Sequence, residues 1–364
     1  MSAHVVTKEQ IKHSLDAWYQ SMLQQQVEKA TRLKEEIESK INHMEEDQNI
    51  SFYYSLLDFR YKVLKNGIII EKNSFERIDS YNMPSDNFLS YYYHFFKAIH
   101  ATLTTSYNEA MEHYEKAEKL LNTMPDKIEK AEFDYRFAIF NQHFYKPVEA
   151  IQYATKAKEI FATEKGYEVK LALCDNIIGA ACVFLKQYEQ AEEKYNAAIA
   201  IFQKFEEEDL VLSVRNNLGW LYASQNLSAS AIRHLSEVTG KKPTHFKAVF
   251  LQAREHYKLG ETNIAKGMIE QGYKLCLELE NEEYQHHYKI LRALNDTFSV
   301  EGLENIILKG ITYFDKELLY NYIQEYAEKL AVKFYEEDNH IKASKYFHIG
   351  LQAKEKTFEK GALK

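Results

Sequence analysis

Apolar residues recur along the chain at intervals of three and four, the period that places side chains on one face of an α-helix. The first apolar stripe runs from Ile11 to Met22, and further stripes start at Val27 and Phe52. Only four prolines occur in 364 residues, and a proline inside a helix costs about 3 kcal/mol. The pattern therefore predicts an all-α protein that begins with a three-helix bundle over residues 1–66.

The helical pattern stops over residues 67–87, which are rich in asparagine and include Pro84. Residues of these types favour turns and loops. Ser85 or Asp86 could cap the helix that follows, because a side-chain oxygen there can accept a hydrogen bond from a free backbone N–H. We therefore predict a linker over 67–87 and a second domain over 88–364.

The second domain contains an internal repeat in which an alanine follows an aromatic or apolar residue and two polar positions. The leading alanines are Ala110, Ala150, Ala191, Ala231, Ala265 and Ala343. Their spacings are 40, 41, 40, 34 and 78 residues, so a degenerate unit is expected near Leu303. The pattern looks like the tetratricopeptide repeat, a helix pair with small residues where the helices cross. A generic helical bundle with alanine at close contacts is the alternative.

Such repeats stack into a superhelix whose first helices line a concave surface. The fold prediction is therefore a three-helix bundle followed by a right-handed superhelix of about seven tetratricopeptide-like repeats. The concave groove suits an extended peptide or a helix of a partner protein.

The composition excludes several classes of function. The net charge is −8 and no stripe of Lys and Arg is present, which argues against nucleic-acid binding and against membrane-surface binding. No apolar run approaches the length of a transmembrane helix, and the N-terminus does not resemble a signal peptide. The three cysteines, Cys174, Cys182 and Cys276, form no paired framework. We therefore expect a cytoplasmic protein.

Motifs of a self-contained hydrolase are absent, since the sequence has no Gly-rich phosphate loop, no HExxH and no GxSxG. The segment "EEDQ", residues 45–48, stands instead between two helical patterns. A solvated turn is one interpretation. The other is a site that acts on a phosphate held by a partner, because a glutamine amide can orient an attacking water while Mg²⁺ neutralises the phosphate.

Four segments of the sequence resemble the Rap proteins of Bacillus. These are response-regulator aspartate phosphatases and anti-activators with a three-helix bundle joined to about seven tetratricopeptide-like repeats. The resemblance covers essentially the whole chain. The segments are "WYQSM" at 18–22, "LKEEIESKINHMEEDQ" at 33–48, "YYSLLDFR" at 53–60 and "IEKAEFDYRF" at 128–137. The resemblance implies a quorum-sensing regulator that removes phosphate from the aspartate of a response regulator, of the sporulation phosphorelay type.

In the phosphatase members of that family, the glutamine of the motif enters the active site of the response regulator. That residue is Gln48 in this chain, so the resemblance implies that Gln48 is catalytic. The chain would need no cofactor of its own, since Mg²⁺ would be supplied by the partner. Tyr53 and Phe59 could equally be core residues. The resemblance further implies a regulator-binding set of Glu45, Glu46, Asp47, Tyr53 and Phe59.

Rap proteins are also inhibited by short secreted peptides that bind in the repeat groove. An asparagine in the first helix of a repeat can clamp a peptide backbone, and Asn217 holds that position, with Asn176 one position off in the preceding unit. Phe184 stands where family members often have an aspartate, which implies a different peptide. Further expected peptide-binding residues, for which packing between repeats is the alternative, are Arg215, Phe250, Tyr284 and Tyr288.

Two other functions remain open at this point. The chain could be a non-catalytic anti-activator that sequesters the DNA-binding domain of a response regulator. It could also be a peptide-dependent transcription regulator, although the first 66 residues contain no basic recognition helix. Peptide binding is expected to compact the repeats and to draw the bundle away from its regulator-binding position. A monomer or weak homodimer is expected.

Overall fold

The computed structural model describes residues 7–41, 47–67, 70–82 and 85–361, and these ranges contain α-helices and no β-strand. The first three helices are α1 (Lys8–Leu23), α2 (Val27–Ile41) and α3 (Gln48–Asn66). Each of them contacts the other two. The predicted all-α class and the three-helix bundle are therefore confirmed.

The predicted linker contains short elements of structure. A 3-10 turn over Lys72–Phe75 continues into the short helix α4 (Glu76–Asp79), and the ring of Phe75 is buried. Asp86, one of the two predicted caps, precedes the next helix. Its carboxylate accepts a hydrogen bond from the backbone N–H of Phe88 at 2.7 Å, which satisfies one of the free donors at the helix start.

The remaining helices follow as seven consecutive pairs within the described ranges, in agreement with the predicted repeats. The pair α15 and α16 includes the degenerate unit expected near Leu303. The helices are α5 (Asn87–Leu103), α6 (Tyr107–Leu121), α7 (Lys127–His143), α8 (Pro147–Phe161), α9 (Glu168–Phe184), α10 (Tyr188–Lys204), α11 (Glu208–Ser224), α12 (Ser228–Lys241), α13 (Phe246–Lys258), α14 (Thr262–Glu278), α15 (Glu282–Asn295), α16 (Val300–Lys316), α17 (Tyr320–Glu336) and α18 (His340–Gly361).

Small residues lie where the helices of a pair approach most closely, as the repeat pattern predicts. A Cβ atom added to Gly219 would lie 2.5 Å from the side chain of Leu235, and one added to Gly179 would lie 2.8 Å from the ring of Tyr195. These distances are too short for non-bonded carbon atoms. The equivalent alanines of four other pairs are fully buried, namely Ala98, Ala138, Ala253 and Ala331.

The turn inside each pair contains one residue in the left-handed backbone region. These residues are Thr105, Tyr145, Lys186, Asn226, Gly260, Thr297 and Asp338, with φ between 50° and 76°. The next backbone N–H closes back onto the first helix of the pair, as at Gln187, which donates to the carbonyl of Cys182 at 2.8 Å. This is the Schellman geometry that ends many helices.

Contacts divide the chain into two compact units. The first unit comprises residues 1–137 and 155–174, and the second comprises residues 138–154 and 175–364. Helices α1 to α6 therefore lie in the first unit, and α10 to α18 lie in the second. Among the described residues, no helix has both the length and the apolar character that a membrane crossing requires.

Candidate functional site

The start of α3 holds Asp47 and Gln48 in a defined geometry. Asp47 is the N-cap, and its carboxylate accepts hydrogen bonds from the backbone N–H groups of Asn49 at 3.0 Å and Ile50 at 3.2 Å. The ammonium of Lys8 lies 2.9 Å from the same carboxylate. Gln48 is the first residue of the helix, and its side chain is exposed. The neutral amide of Gln48 is therefore exposed at the capped start of α3.

The negative charge of Asp47 is stabilised by its hydrogen-bond partners in this position. The hydrogen bond from Lys8, together with that from the Ile50 amide, holds the pKa of the Asp47 carboxyl below its usual range. Asp47 is therefore ionised at neutral pH and serves first as a cap. Whether it or Gln48 contacts a regulator stays a prediction, and Glu45 and Glu46 lie outside the described residues.

Tyr53 and Phe59 lie in the core of the first unit, and the expectation that they complete a docking face is corrected. Tyr53 is 4% exposed and Phe59 is 1% exposed. The Tyr53 hydroxyl donates to Asp16 at 3.2 Å, and the Phe59 ring packs edge-on against Phe75 at 4.9 Å between centroids. Both residues are on the apolar face of α3, so they fix the helix that carries Gln48.

A buried charge cluster, which the sequence pattern did not predict, joins α3 to α7 and α9. Glu132 of α7 accepts from Arg60 Nη2 of α3 at 2.8 Å and from Lys170 Nζ of α9 at 2.5 Å. Arg136 Nε also donates to Glu132, at 2.9 Å. Arg60, Glu132 and Lys170 have fully buried side chains. Burial opposes the charge of Glu132, but Lys170, Arg136 and Arg60 together hold its pKa well below the usual range.

A second buried carboxyl, Glu129, lies one helical turn before Glu132. The hydroxyls of Tyr19 and Tyr91 donate to Glu129 Oε1 at 3.1 and 2.8 Å, and that of Tyr92 donates to Oε2 at 3.2 Å. Burial nevertheless raises the pKa of Glu129 to about 8. The available signal in the sequence was the segment "IEKAEFDYRF", in which both glutamates fall on the apolar face of the predicted helix.

In the second unit, the two predicted asparagines are brought together. Asn217 Nδ2 of α11 donates to Asn176 Oδ1 of α9 at 2.9 Å, and both side chains are half-buried. Although Asn176 is one position off in the repeat pattern, its side chain therefore lies beside that of Asn217. The amide oxygen of Asn217 also accepts from Asn216 Nδ2 at 3.5 Å, and its second lone pair and the Asn176 NH₂ can make further hydrogen bonds.

Two of the other expected peptide-binding residues, Arg215 and Tyr288, make contacts with neighbouring helices. The guanidinium Nε of Arg215 lies 2.9 Å from Glu237 of α12, so this side chain is held against the second helix of its pair. Tyr288 is fully buried, and its hydroxyl donates to the carbonyl of Phe246 at 2.7 Å. Its ring occupies the space left by Gly272. The assignment of Tyr288 is corrected, because packing between repeats is what the structure shows, while peptide contact by Arg215 stays a prediction.

Phe250 and Tyr284 are half-buried and form a cluster on the first helices of the second unit. The two rings meet edge-on at 5.7 Å, and each also contacts the ring of His287. Phe250 further lines a cavity of about 410 Å³. These two residues remain candidates for ligand contact.

Phe184 belongs to an aromatic row in the second unit. Its ring lies 4.6 Å from that of Trp220 and 5.0 Å from that of Tyr145. Tyr145 in turn contacts Tyr322 at 5.3 Å. A ligand group at this position would meet aromatic surface instead of a carboxylate. Within the described ranges, no group of three or more His, Cys, Asp or Glu side chains could hold a metal ion.

Comparison with known proteins agrees with this arrangement. The sequence profile of the N-terminal region of response regulator aspartate phosphatase H matches residues 5–66, and a tetratricopeptide repeat profile matches residues 170–239. Response regulator aspartate phosphatase I of Bacillus subtilis (strain 168) is 25% identical over 354 residues, which cover 94% of this chain and 90% of that protein. Regulatory protein RapF of the same organism is 26% identical over 361 residues, which cover 94% of each chain.

A solved structure has the same fold. The crystal structure of a Rap protein complexed with competence and sporulation factor matches with a TM-score of 0.82 at 22% identity, over 97% of this chain and 99% of that one. The N-terminal profile covers the bundle that carries Gln48, and the curated relatives align over nearly their full length. These matches support the assignment of this chain to the Rap family.

Proposed function

We propose that this protein is a peptide-inhibited phosphatase that binds a response regulator and hydrolyses its phosphoaspartate, with Gln48 as the catalytic residue. The observation that carries the proposal is the exposed amide of Gln48 on a capped helix start. It lies in the segment that matches the N-terminal profile of an aspartate phosphatase. The partner would be a regulator of the sporulation phosphorelay type, in the cytoplasm, and this chain would act as a monomer or weak homodimer.

In this chemistry the chain needs to supply only a side chain that positions the attacking water. The amide oxygen of Gln48 accepts from the attacking water, and the amide NH₂ holds a phosphoryl oxygen, so that the water is aligned with phosphorus. Mg²⁺ and the phosphoaspartate belong to the regulator, and this chain brings no metal or cofactor. Burial of Tyr53 and Phe59 keeps α3 rigid, which limits the entropy cost of alignment.

Inhibition by a short peptide is the second part of the proposal. The half-buried pair of Asn176 and Asn217 offers an amide donor and acceptor to the backbone of an extended peptide. Phe250 and Tyr284 supply apolar contact one and two repeats beyond Asn217. One similar solved structure is a Rap protein in complex with competence and sporulation factor, and another is the Rap conjugation gene regulator of the plasmid pLS20 in complex with the Phr* peptide, which supports this choice of ligand.

The experiment mixes a phosphorylated sporulation response regulator, Mg²⁺ and this protein, and measures the phosphate that remains. Gln48→Ala is compared with wild type and with Asn49→Ala, which removes an exposed neighbouring amide from the same helix turn. We expect Gln48→Ala to slow dephosphorylation by about 100-fold, the usual effect of losing one positioning group. Asn49→Ala should stay close to wild type.

Equal rates for wild type and Gln48→Ala would remove Gln48 from the mechanism. Loss of regulator binding to DNA with no loss of phosphate would instead support the anti-activator function. Binding of the regulator to Gln48→Ala, measured by calorimetry, separates a catalytic defect from a docking defect.

A further inference from the structure

The buried charge cluster that joins α3 to α7 and α9 contains more cations than carboxylates. Arg60 Nη2 and Arg136 Nε both donate to Glu132 Oε1, at 2.8 and 2.9 Å, and Lys170 Nζ donates to Glu132 Oε2 at 2.5 Å. Among the described residues, no other carboxylate forms an ion pair with any of these three cations. Three positive charges therefore share one carboxylate.

Glu129, one helical turn before Glu132, does not remove this excess. Its oxygens accept from the hydroxyls of Tyr19, Tyr91 and Tyr92 and not from a cation of the cluster. Burial raises its pKa to about 8, so the neutral form predominates at pH 7. If Glu129 were ionised, three cations would still face two carboxylates. The cluster therefore carries an excess of at least one positive charge.

Further contacts of the cations are with aromatic rings. Lys170 Nζ lies 4.4 Å from the ring centroid of Tyr135 and 5.8 Å from that of Phe161. The guanidinium carbon of Arg136 lies 5.1 Å from the ring centroid of Tyr135. An aromatic face attracts a cation but carries no net charge. These contacts therefore orient Lys170 and Arg136 without neutralising them.

The positive excess is also evident in the acidity of two of the cations. Burial lowers the pKa of Lys170 to about 8, and the charges of Arg136 and Arg60 oppose the effect of Glu132. The pKa of Arg60 is below its usual range as well, because burial and the charge of Arg136 disfavour its charged form more than Glu132 favours it. A further negative charge beside these residues would therefore be stabilised.

Arg60 also has hydrogen-bond donors that no described residue accepts. A guanidinium has five N–H groups, and the contact with Glu132 uses one of those on Nη2. Nε and Nη1 are buried and have no hydrogen-bond partner among the described residues. The N–H groups on these two atoms are thus withdrawn from bulk water without a protein acceptor, which is costly unless another group accepts from them.

We propose that the free N–H groups of Arg60 bind a small inorganic anion of the chloride class inside the first unit. Such an ion accepts hydrogen bonds from these donors and also offsets the positive excess, whereas a water molecule would do only the first. The complete burial of the Arg60 side chain favours a monatomic ion over a phosphate or an organic acid. Because Arg60 belongs to α3, and Glu132 and Lys170 belong to α7 and α9, the bound anion would strengthen the contact between these helices.

The test measures thermal unfolding of the full chain at pH 7 in mixtures of potassium chloride and potassium gluconate at constant ionic strength. Gluconate is too large for a buried site, so the mixtures vary only the small anion. We expect the unfolding temperature to rise with the chloride concentration and then to level off, as binding to the native state requires. Potassium bromide should act in the same way.

Two variants show whether the cluster is responsible. Lys170→Met removes one of the three cations and should raise the chloride concentration at half-effect by about 10-fold, since one nearby unit charge is lost. Lys97→Met is the matched control, because Lys97 is a largely buried lysine of the same unit that pairs with Asp79 outside the cluster. Its response to chloride should equal that of wild type.

Equal unfolding temperatures in chloride and gluconate would overturn the proposal and would make water the acceptor at Arg60. A rise that does not level off, or that is the same in Lys170→Met, would be a general salt effect and would overturn it as well. The wild-type comparison needs no variant, so a folding defect in Lys170→Met does not affect it. In crystals grown in bromide, an anomalous peak within hydrogen-bond distance of Arg60 Nε or Nη1 would support the site, and ordered water there without anomalous signal would refute it.

Discussion

Gly272 provides a direct test of how tightly the helix pairs of the second unit are packed. A Cβ atom at Gly272 would lie 2.0 Å from the hydroxyl oxygen of Tyr288 and 2.1 Å from its Cζ atom. Gly267, on the same helix α14, has nothing within 4 Å of an added Cβ. The two substitutions Gly272→Ala and Gly267→Ala therefore have the same chemistry and differ only in the space available.

The expected magnitudes follow from this difference. Alanine in place of glycine stabilises a helix interior by about 1 kcal/mol at either position. At Gly272 the ring of Tyr288 must move, which costs about 1–3 kcal/mol for overpacking. Movement also breaks the 2.7 Å hydrogen bond to the carbonyl of Phe246, and a buried carbonyl left without a partner costs about 1–3 kcal/mol more. Gly272→Ala should thus be destabilising by about 1–5 kcal/mol, and Gly267→Ala stabilising by about 1 kcal/mol.

Urea unfolding followed by circular dichroism measures both changes as shifts of the transition midpoint. The double variant Gly272→Ala with Tyr288→Leu should show strong coupling, because the smaller side chain removes the clash. If Gly272→Ala were as stable as Gly267→Ala, the close approach of α14 and α15 at Tyr288 would be refuted.

Three further predictions concern charged groups of the first unit. Glu132→Gln removes the carboxylate that Arg60 and Lys170 share, and it should lower the free energy of unfolding by about 3–5 kcal/mol in urea titrations; a change below about 1 kcal/mol would show that the cluster is not buried. Glu129 has a pKa raised to about 8, so the native state binds its proton more tightly, and the stability from this group is lost as pH rises from about 4.5 to about 8. The unfolding temperature of wild type should therefore fall relative to that of Glu129→Gln as pH rises from 5 to 8.5, so that the variant gains in relative stability. A difference in unfolding temperature that does not change with pH would contradict the raised pKa of Glu129. Asp47→Ala removes the N-cap of α3 and should cost about 0.5–2 kcal/mol, visible as faster hydrogen exchange at the first free amides of α3; unchanged exchange would exclude the cap.

Helix positions could be predicted from the sequence because apolar periodicity is a local property. The repeat was visible for the same reason, since Gly179 and Gly219 mark the sites where a larger side chain would collide with Tyr195 and Leu235. The cap of α5 was predicted as well, because Asp86 is a favourable cap where the chain turns into a helix.

The pairing of distant side chains could not be predicted in this way. Arg60 and Glu132 are 72 residues apart, and no local pattern indicates that they meet. Tyr53 and Phe59 were ambiguous because a regularly spaced aromatic residue can pack in the core or face a partner. Tyr288 shows the same limit, since one residue of shift along a helix turns a side chain by about 100° and moves it from groove to core.

The left-handed turns inside the helix pairs have a practical consequence for experiments on this protein. Only one of the seven is glycine, Gly260, although a residue with a Cβ pays about 1–2 kcal/mol in that conformation. Lys186 is exposed, so glycine there would relieve the backbone strain without removing a packed side chain. Glycine also gives the unfolded chain more freedom, at a cost of about 0.5–1 kcal/mol, so the net gain at each turn is modest. Glycine substitutions at several of these turns together would raise the stability of the protein. Variants of the groove and of α3 that are otherwise too unstable to purify could then be studied in that more stable protein.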